Sequence, residues 1–157
     1  MRAWLRQPAL RADDVSLRPV YDACAQLGVP VFVMSGPTTP NLDDNDPAAI
    51  GRVAREFPKL RIICSHGFYP RVNEIIGVAF RYENVSLSPD MYFFLPGSRL
   101  YIEAANGFMR NQLLFGTSYP FRPMKQTLDD FLALGLKDEI LDDVLFNNAN
   151  RMLKLAL

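Results

Sequence analysis

Apolar residues come in short runs separated by longer mixed stretches, and the two kinds of segment carry different periods. The runs VPVFVMSG (29–36), LRIICSHG (60–67), NVSLSPDMY (84–92) and QLLFGTSYPF (112–121) are short and bounded by turn residues. An apolar run on both faces predicts a buried strand of a parallel sheet. MRAWLRQ (1–7) is a weaker candidate, which brings the expected number of strands to five. The segments between them have helical spacing. In ADDVSLRPVYDACAQLG (12–28), Val15, Val20, Cys24 and Leu27 lie near one face, Asp14 is placed as N-cap and Gly28 ends the helix. PAAIGRVAREF (47–57) follows a capping Asp46 and has Pro47 at its first position. YPRVNEIIGVAFRY (69–82) and SRLYIEAANG (98–107) are further helices, the second stopped by Asn106–Gly107. The tail from Thr127 to Leu157 predicts two or three helices, with Asn148 a candidate cap for the last.

Strands alternating with helices imply an α/β fold with a parallel sheet and right-handed crossovers. The 157 residues fit a single domain over 1–157, with no linker or repeat to divide it. Composition narrows the partners. Lys plus Arg and Asp plus Glu are balanced at 17 each, which argues against binding driven by nucleic-acid or membrane charge. No apolar run approaches the roughly 18 residues needed to span a bilayer. The first residues show no apolar signal segment. Cys24 and Cys64 both lie in apolar surroundings and read as reduced core residues, so a cytoplasmic location is expected.

In a parallel α/β sheet, function gathers at the C-terminal ends of the strands. Those ends are Met34–Ser35, Ser65–His66–Gly67, Ser88–Pro89–Asp90 and Thr117–Ser118–Tyr119, with Arg6 or Gln7 after the first candidate strand. His66 is the only histidine, so the chain by itself cannot build a site that needs several imidazoles. An imidazole can pass protons or bind a metal, which makes His66 a candidate general acid or base; a buried histidine satisfied by backbone groups is the plainer alternative. Asp90 is the only carboxylate at a strand end, although an Asp after Ser-Pro is also a common turn residue or cap. Ser65 or Ser118 with His66 could form a nucleophile and base, but neither serine sits in a G-x-S-x-G elbow. Tyr69, Arg71, Tyr119 and Arg122 are placed to line a mouth and hold an anionic substrate, or simply to pack on one another at its rim. Asp43, Asp44 and Asp46 lack the turn glycine and closing glutamate of a calcium loop and read as a solvated loop. No strand is followed by a dinucleotide-binding or phosphate-binding glycine motif.

The blocks LRPVYDACAQLGVPVFVMSG, VAREFPKLRIICSHGFYP, YENVSLSPD, LLFGTSYPF and ILDDVLFNNANRMLKL occur in this order. Together they resemble the C-terminal part of the amidohydrolase-related family, amidohydrolase-2 type. The resemblance implies a TIM barrel of which this chain supplies roughly the fourth to the eighth strand. It also implies hydrolysis, decarboxylation or hydration of small, often carboxylated or aromatic, substrates. The family usually binds one divalent metal, often zinc. Its ligands are an H-x-H on the first strand, a histidine ending the fifth and an aspartate ending the eighth; a histidine ending the sixth assists catalysis. Carried over, only the sixth-strand histidine is kept, as His66. Met34 stands at the fifth-strand position, Ser118 stands at the eighth, and the H-x-H strand is not in this sequence.

The expectation is therefore a truncated barrel with a degenerate metal site and no bound cofactor. His66 and Asp90 are its candidate catalytic residues, and Tyr119, Arg122, Ser118 and Tyr69 its candidate substrate-binding residues. Classical metal-dependent activity is expected to be weak or absent. The alternative is a non-catalytic ligand-binding or assembly module on the same scaffold. Five strands cannot close a barrel, so free edges at Ala3–Arg6 and Leu113–Phe115 predict a homodimer or higher oligomer, the other remedy being a rearranged open sheet covered by the C-terminal helices. The side chains that would fill the barrel are Val31, Val33, Ile63 and Leu87 on one pleat, or their neighbours on the other.

Overall fold

A computed structural model describes residues 10–39 and 41–155. The expected strand at 1–7 lies outside the described residues. Three strands, β1 (Val31–Met34), β2 (Ile62–Ser65) and β3 (Val85–Ser88), pair in parallel in the order β1-β2-β3. Helix α1 (Arg18–Leu27) precedes β1, α2 (Pro47–Glu56) joins β1 to β2, and α3 (Val72–Arg81) joins β2 to β3. After β3 come α4 (Arg99–Gly107), α5 (Met124–Leu132), α6 (Asp138–Asp142) and α7 (Asn148–Leu153), with a π turn at Asp143–Asn147 between the last two. This is a partial TIM-barrel-like α/β fold. No helix among the described residues is long and apolar enough to cross a membrane.

The expected strand at 112–121 is reduced to a single parallel bridge, Leu87 to Leu113. Leu87 N–H donates to the Gln112 carbonyl and Leu114 N–H to the Leu87 carbonyl, both at 2.8 Å. Beyond that, the backbone groups go elsewhere. The Leu113 carbonyl accepts from the Asn148 side-chain amide at 2.8 Å, and Phe115 N–H donates to the Val144 carbonyl at 3.2 Å. The C-terminal helical segment thus takes over bonds that a longer ladder would use. Asn148 is correspondingly not a cap. It is buried at the start of α7, and its amide also donates to the Arg110 carbonyl at 2.7 Å.

Register sorts the side chains into two rows. Val31 pairs with Ile62 and Val33 with Cys64; Ile62 pairs with Val85 and Cys64 with Leu87. This row faces the helices. Ile62, Cys64, Val85 and Leu87 join Ile50 and Val53 of α2, Ile75 of α3 and Tyr101 and Ile102 of α4 in the main core. Ile63 belongs to the opposite row, between Phe32 and Ser86, so the grouping of Val31, Val33, Ile63 and Leu87 does not hold. Strand side chains alternate with period two, and one position of offset changes the face. Ile63 and Leu114 instead form a small second cluster with Met152 and Ala149 of α7. Arg61 pins α7 there: its guanidinium donates to the carbonyls of Arg151, Met152 and Gly28.

The outer boundaries follow local signals. Asp46 accepts from Ala48 N–H at 2.9 Å, as an N-cap should, and Gly28 ends α1 at φ +63°, the left-handed position that suits glycine. Asp14 caps a short 3-10 turn at Val15–Leu17 rather than α1 itself. Of the four residues grouped on one face of this segment, only Cys24 packs against the core. Val15, Val20 and Leu27 are exposed, and the buried residue of α1 is Tyr21, whose hydroxyl donates to the Ala12 carbonyl at 2.6 Å. Burial pushes that phenol up to about 12. Tyr21 joins the main core, with Cys24 and Ala25 packed against it, so only that side of α1 meets the core.

Candidate functional site at the strand ends

Three non-glycine residues at the expected strand ends lie in the left-handed region: His66 at φ +62°, Asp90 at φ +57° and Ser118 at φ +57°. Such conformations persist in a side-chain-bearing residue only when the surroundings hold them. Here the surroundings are hydrogen bonds that also draw the three together. The Asp90 carboxylate accepts from Ser88 Oγ at 2.7 Å and Ser65 Oγ at 3.3 Å, and lies 3.4 Å from His66 N–H. Next to it, Met91 N–H donates to Ser118 Oγ at 2.9 Å. Gly116 makes room for the carboxylate, since a Cβ there would collide with Asp90 Oδ1.

The imidazole is held from the β1 side. His66 Nδ1 lies 2.9 Å from the Ser35 carbonyl oxygen. The buried Ser35 hydroxyl donates to the Ser65 carbonyl at 2.5 Å and accepts from Phe68 N–H at 2.9 Å. Asn45, also buried, accepts from Gly36 N–H at 2.9 Å and donates to the Tyr69 carbonyl at 3.1 Å. On its other side, the His66 ring lies against Tyr92 with centroids 5.1 Å apart, and Tyr92 stacks on Tyr69 at 5.4 Å. Burial raises the Tyr92 phenol above its ordinary value against an opposing hydrogen bond with Thr38, and the Asp90 charge adds to the rise.

The structure therefore brings His66, Asp90 and Ser118 into one cluster and joins Tyr69 to it through Tyr92. Arg122 is turned elsewhere, 2.6 Å from Asp130 with its guanidinium 4.2 Å above the Phe94 ring. Tyr119 is 68% exposed and Met34, at the end of β1, is 67% exposed. Among the described residues, no three His, Cys, Asp or Glu side chains gather as a metal site requires. Sequence reading gave no role to Ser35, Asn45, Tyr92 or Gly116. Asn45 was hidden in the polar run LDDND, and Gly116 signalled only the end of a strand.

The geometry has relatives. An uncharacterised TIM-barrel protein from Bordetella bronchiseptica superposes with a TM-score of 0.88 at 43% identity, covering 92% of this chain and 52% of that one. A 2,6-dihydroxybenzoate decarboxylase solved with 2,6-dihydroxybenzoate superposes at 0.72 with 20% identity, covering 96% and 59%. A dihydroxybenzoic acid decarboxylase from Polaromonas, solved with manganese and the inhibitor 2-nitroresorcinol, superposes at 0.69 with 18% identity, covering 97% and 58%. The last two likenesses show fold alone. The chain spans between 52% and 59% of the length of these three proteins. No curated protein matches it. The sequence profile described as amidohydrolase matches residues 2–155, nearly the whole chain, and the protein belongs to that amidohydrolase family.

Proposed function

We propose that the strand ends form an amidohydrolase-type site for a small organic acid, in which His66 transfers protons and the family's divalent metal is not used. The observation that carries this reading is what stands at the family's ligand positions. Met34 offers an exposed thioether at the end of β1. Ser118 offers a neutral hydroxyl that already accepts from Met91 N–H. A thioether and a hydroxyl do not fit a hard or borderline divalent cation that takes imidazole and carboxylate. What remains is an imidazole on a residue whose backbone N–H lies 3.4 Å from the Asp90 carboxylate, and an imidazole and a carboxylate are components of general acid–base chemistry. In this reading Asp90 orients the His66 backbone and faces the reacting groups, while Ser118 and Tyr69 border the substrate.

An organic acid is supported by the names of the solved relatives, which include decarboxylases of dihydroxybenzoates. It is also supported by the rings of Tyr92 and Tyr69 beside His66, which suit a flat substrate. Arg122 is the candidate for the substrate carboxylate, with Tyr119 at the rim. Its pair with Asp130 is partly exposed, at 30% and 42% for the two side chains. Such a pair is worth at most about 1 kcal/mol, so an incoming carboxylate can compete for the guanidinium.

The test uses the full chain. After incubation with zinc or manganese and dialysis, no stoichiometric metal is expected by elemental analysis. Any release of carbon dioxide from 2,6-dihydroxybenzoate is expected to survive chelation and to be lost in His66→Ala. One tightly held metal per chain, lost in His66→Ala, overturns the reading.

A second reading, an assembly module, is favoured by one observation. Phe32 and Met34 are exposed on β1, which is an edge strand of the sheet among the described residues. A second copy pairing with this edge would bury them in a homodimer, the simplest closed assembly. Sedimentation showing a cooperatively unfolding monomer at micromolar concentration sinks it.

A further inference from the structure

We propose that the Ser35–Gly36 peptide, aimed by Asn45, fixes His66 in the tautomer that carries its proton on Nδ1 and leaves Nε2 as the basic nitrogen. Ser35 and Asn45 are thus positioning residues; their significance for catalysis rests on the role proposed for His66.

The deduction starts from the partner of the ring. Nδ1 lies 2.9 Å from the Ser35 carbonyl oxygen. A carbonyl only accepts, so Nδ1 must hold the hydrogen, and in a neutral imidazole Nε2 is then bare. The next question is what aims that carbonyl. It belongs to a planar peptide unit whose other polar group is Gly36 N–H. Gly36 N–H donates to Asn45 Oδ1 at 2.9 Å, so both ends of the plane are tied. Asn45 is itself fixed, because its amide donates to the carbonyls of Tyr69 at 3.1 Å and Phe68 at 3.3 Å. Rotation of the peptide plane would break the Gly36 and His66 bonds together.

Two further features fit this reading. Gly36, at φ +96°, has no side chain, and a Cβ there would lie 3.2 Å from His66 Cβ and 3.7 Å from Nδ1. A bare backbone therefore lets the carbonyl reach the ring. The Ser35 hydroxyl holds the backbone on both sides of His66, at the Ser65 carbonyl and Phe68 N–H. Ring and backbone of His66 are thus held by one residue. Ser35 and Asn45 are each 1% exposed, so water does not compete for these bonds.

His66 is the only histidine, so its nitrogens can be read directly in a long-range proton–nitrogen spectrum of the labelled full chain. At alkaline pH, where an imidazole is neutral, the wild type is expected to show protonated Nδ1 and bare Nε2. Protonated Nε2 overturns the proposal. Asn45→Ala, if folded by circular dichroism, is expected to move both nitrogen shifts toward values averaged over the two tautomers; an unchanged spectrum overturns the role of Asn45. Should Asn45→Ala not fold, the wild-type spectrum still decides the tautomer, and Asn45→Ser, whose hydroxyl both accepts and donates, is expected to keep it; loss of that tautomer in Asn45→Ser overturns the role of Asn45. Ser35→Thr, which retains the hydroxyl, is expected to give the wild-type spectrum, and a changed tautomer counts against the role of Ser35. No substrate enters these measurements, so they fail or succeed separately from the metal and turnover tests.

Discussion

The two faces of the one small sheet differ more than any two secondary-structure elements do. The helix-facing row, Ile62, Cys64, Val85 and Leu87, is wholly apolar and buried. The opposite row mixes Phe32, Met34 and Ile63 with Ser65, Ser86 and Ser88. Its lower part is covered by Met152 and Ala149, its upper part leads to Asp90 through two serine hydroxyls, and Phe32 and Met34 on β1 are exposed. One row supplies cohesion and the other supplies chemistry. Strand alternation lets four-residue strands do both.

The contrast is broken most directly by truncation. Leu87→Ala, in the fully buried row, is expected to cost about 2–5 kcal/mol in urea unfolding. Phe32→Ala, at 60% exposure, is expected to stay within about 0.5 kcal/mol. A loss at Phe32 that matches Leu87 and grows with protein concentration means that the second face is covered by another copy. Gly116→Ala probes the chemical end of that face. The added methyl must displace Asp90, at an expected cost of about 1–3 kcal/mol, with a shift of the His66 amide resonance. An unmoved His66 amide would show that the carboxylate does not organise the strand end.

Ser86 sharpens the comparison with a change of sign. Its hydroxyl is buried and has no hydrogen-bond partner among the described residues. Replacing it with alanine removes an unsatisfied polar group, so Ser86→Ala is expected to stabilise the chain by up to about 1 kcal/mol. Destabilisation in thermal melts would mean that an acceptor reaches it in solution. The smallest effect lies away from both faces. At Asp13 burial opposes ionisation, but hydrogen bonds from Arg52 and Arg11 outweigh it and hold the carboxyl below its ordinary value. A lowered folded value means that stability is present above the ordinary carboxylate range near about 4 and is lost as pH falls through the folded value. Asp13→Asn should flatten acid unfolding in that window by less than about 1 kcal/mol. An acid limb identical to wild type refutes it.

The helices, two of their boundaries and the three described strands were legible because periods and cap residues act locally. Asp46 before Pro47 and Gly28 after Leu27 are examples. The edge strand β1 was legible as a strand but not as an edge: it reads as buried on both faces, yet Phe32 and Met34 stand in the open. The shortening of the strand at Leu113 was not legible, since it depends on Val144 and Asn148, more than thirty residues along the chain. The strand-end rule picked out His66, Asp90 and Ser118. It could not find Asn45, whose polar neighbours suggest a solvated loop although its side chain is buried.

The left-handed backbones at the strand ends set thermal selection against ligand selection. A side chain in that conformation costs roughly 1–2 kcal/mol relative to glycine, less for aspartate. Glycine at positions 66, 90 or 118 would relieve the backbone itself. A library ranked only by melting temperature would therefore be drawn toward glycine at these three codons. Each accepted step would delete, in turn, an imidazole, a carboxylate and a hydroxyl, leaving a calmer scaffold with a blank upper rim.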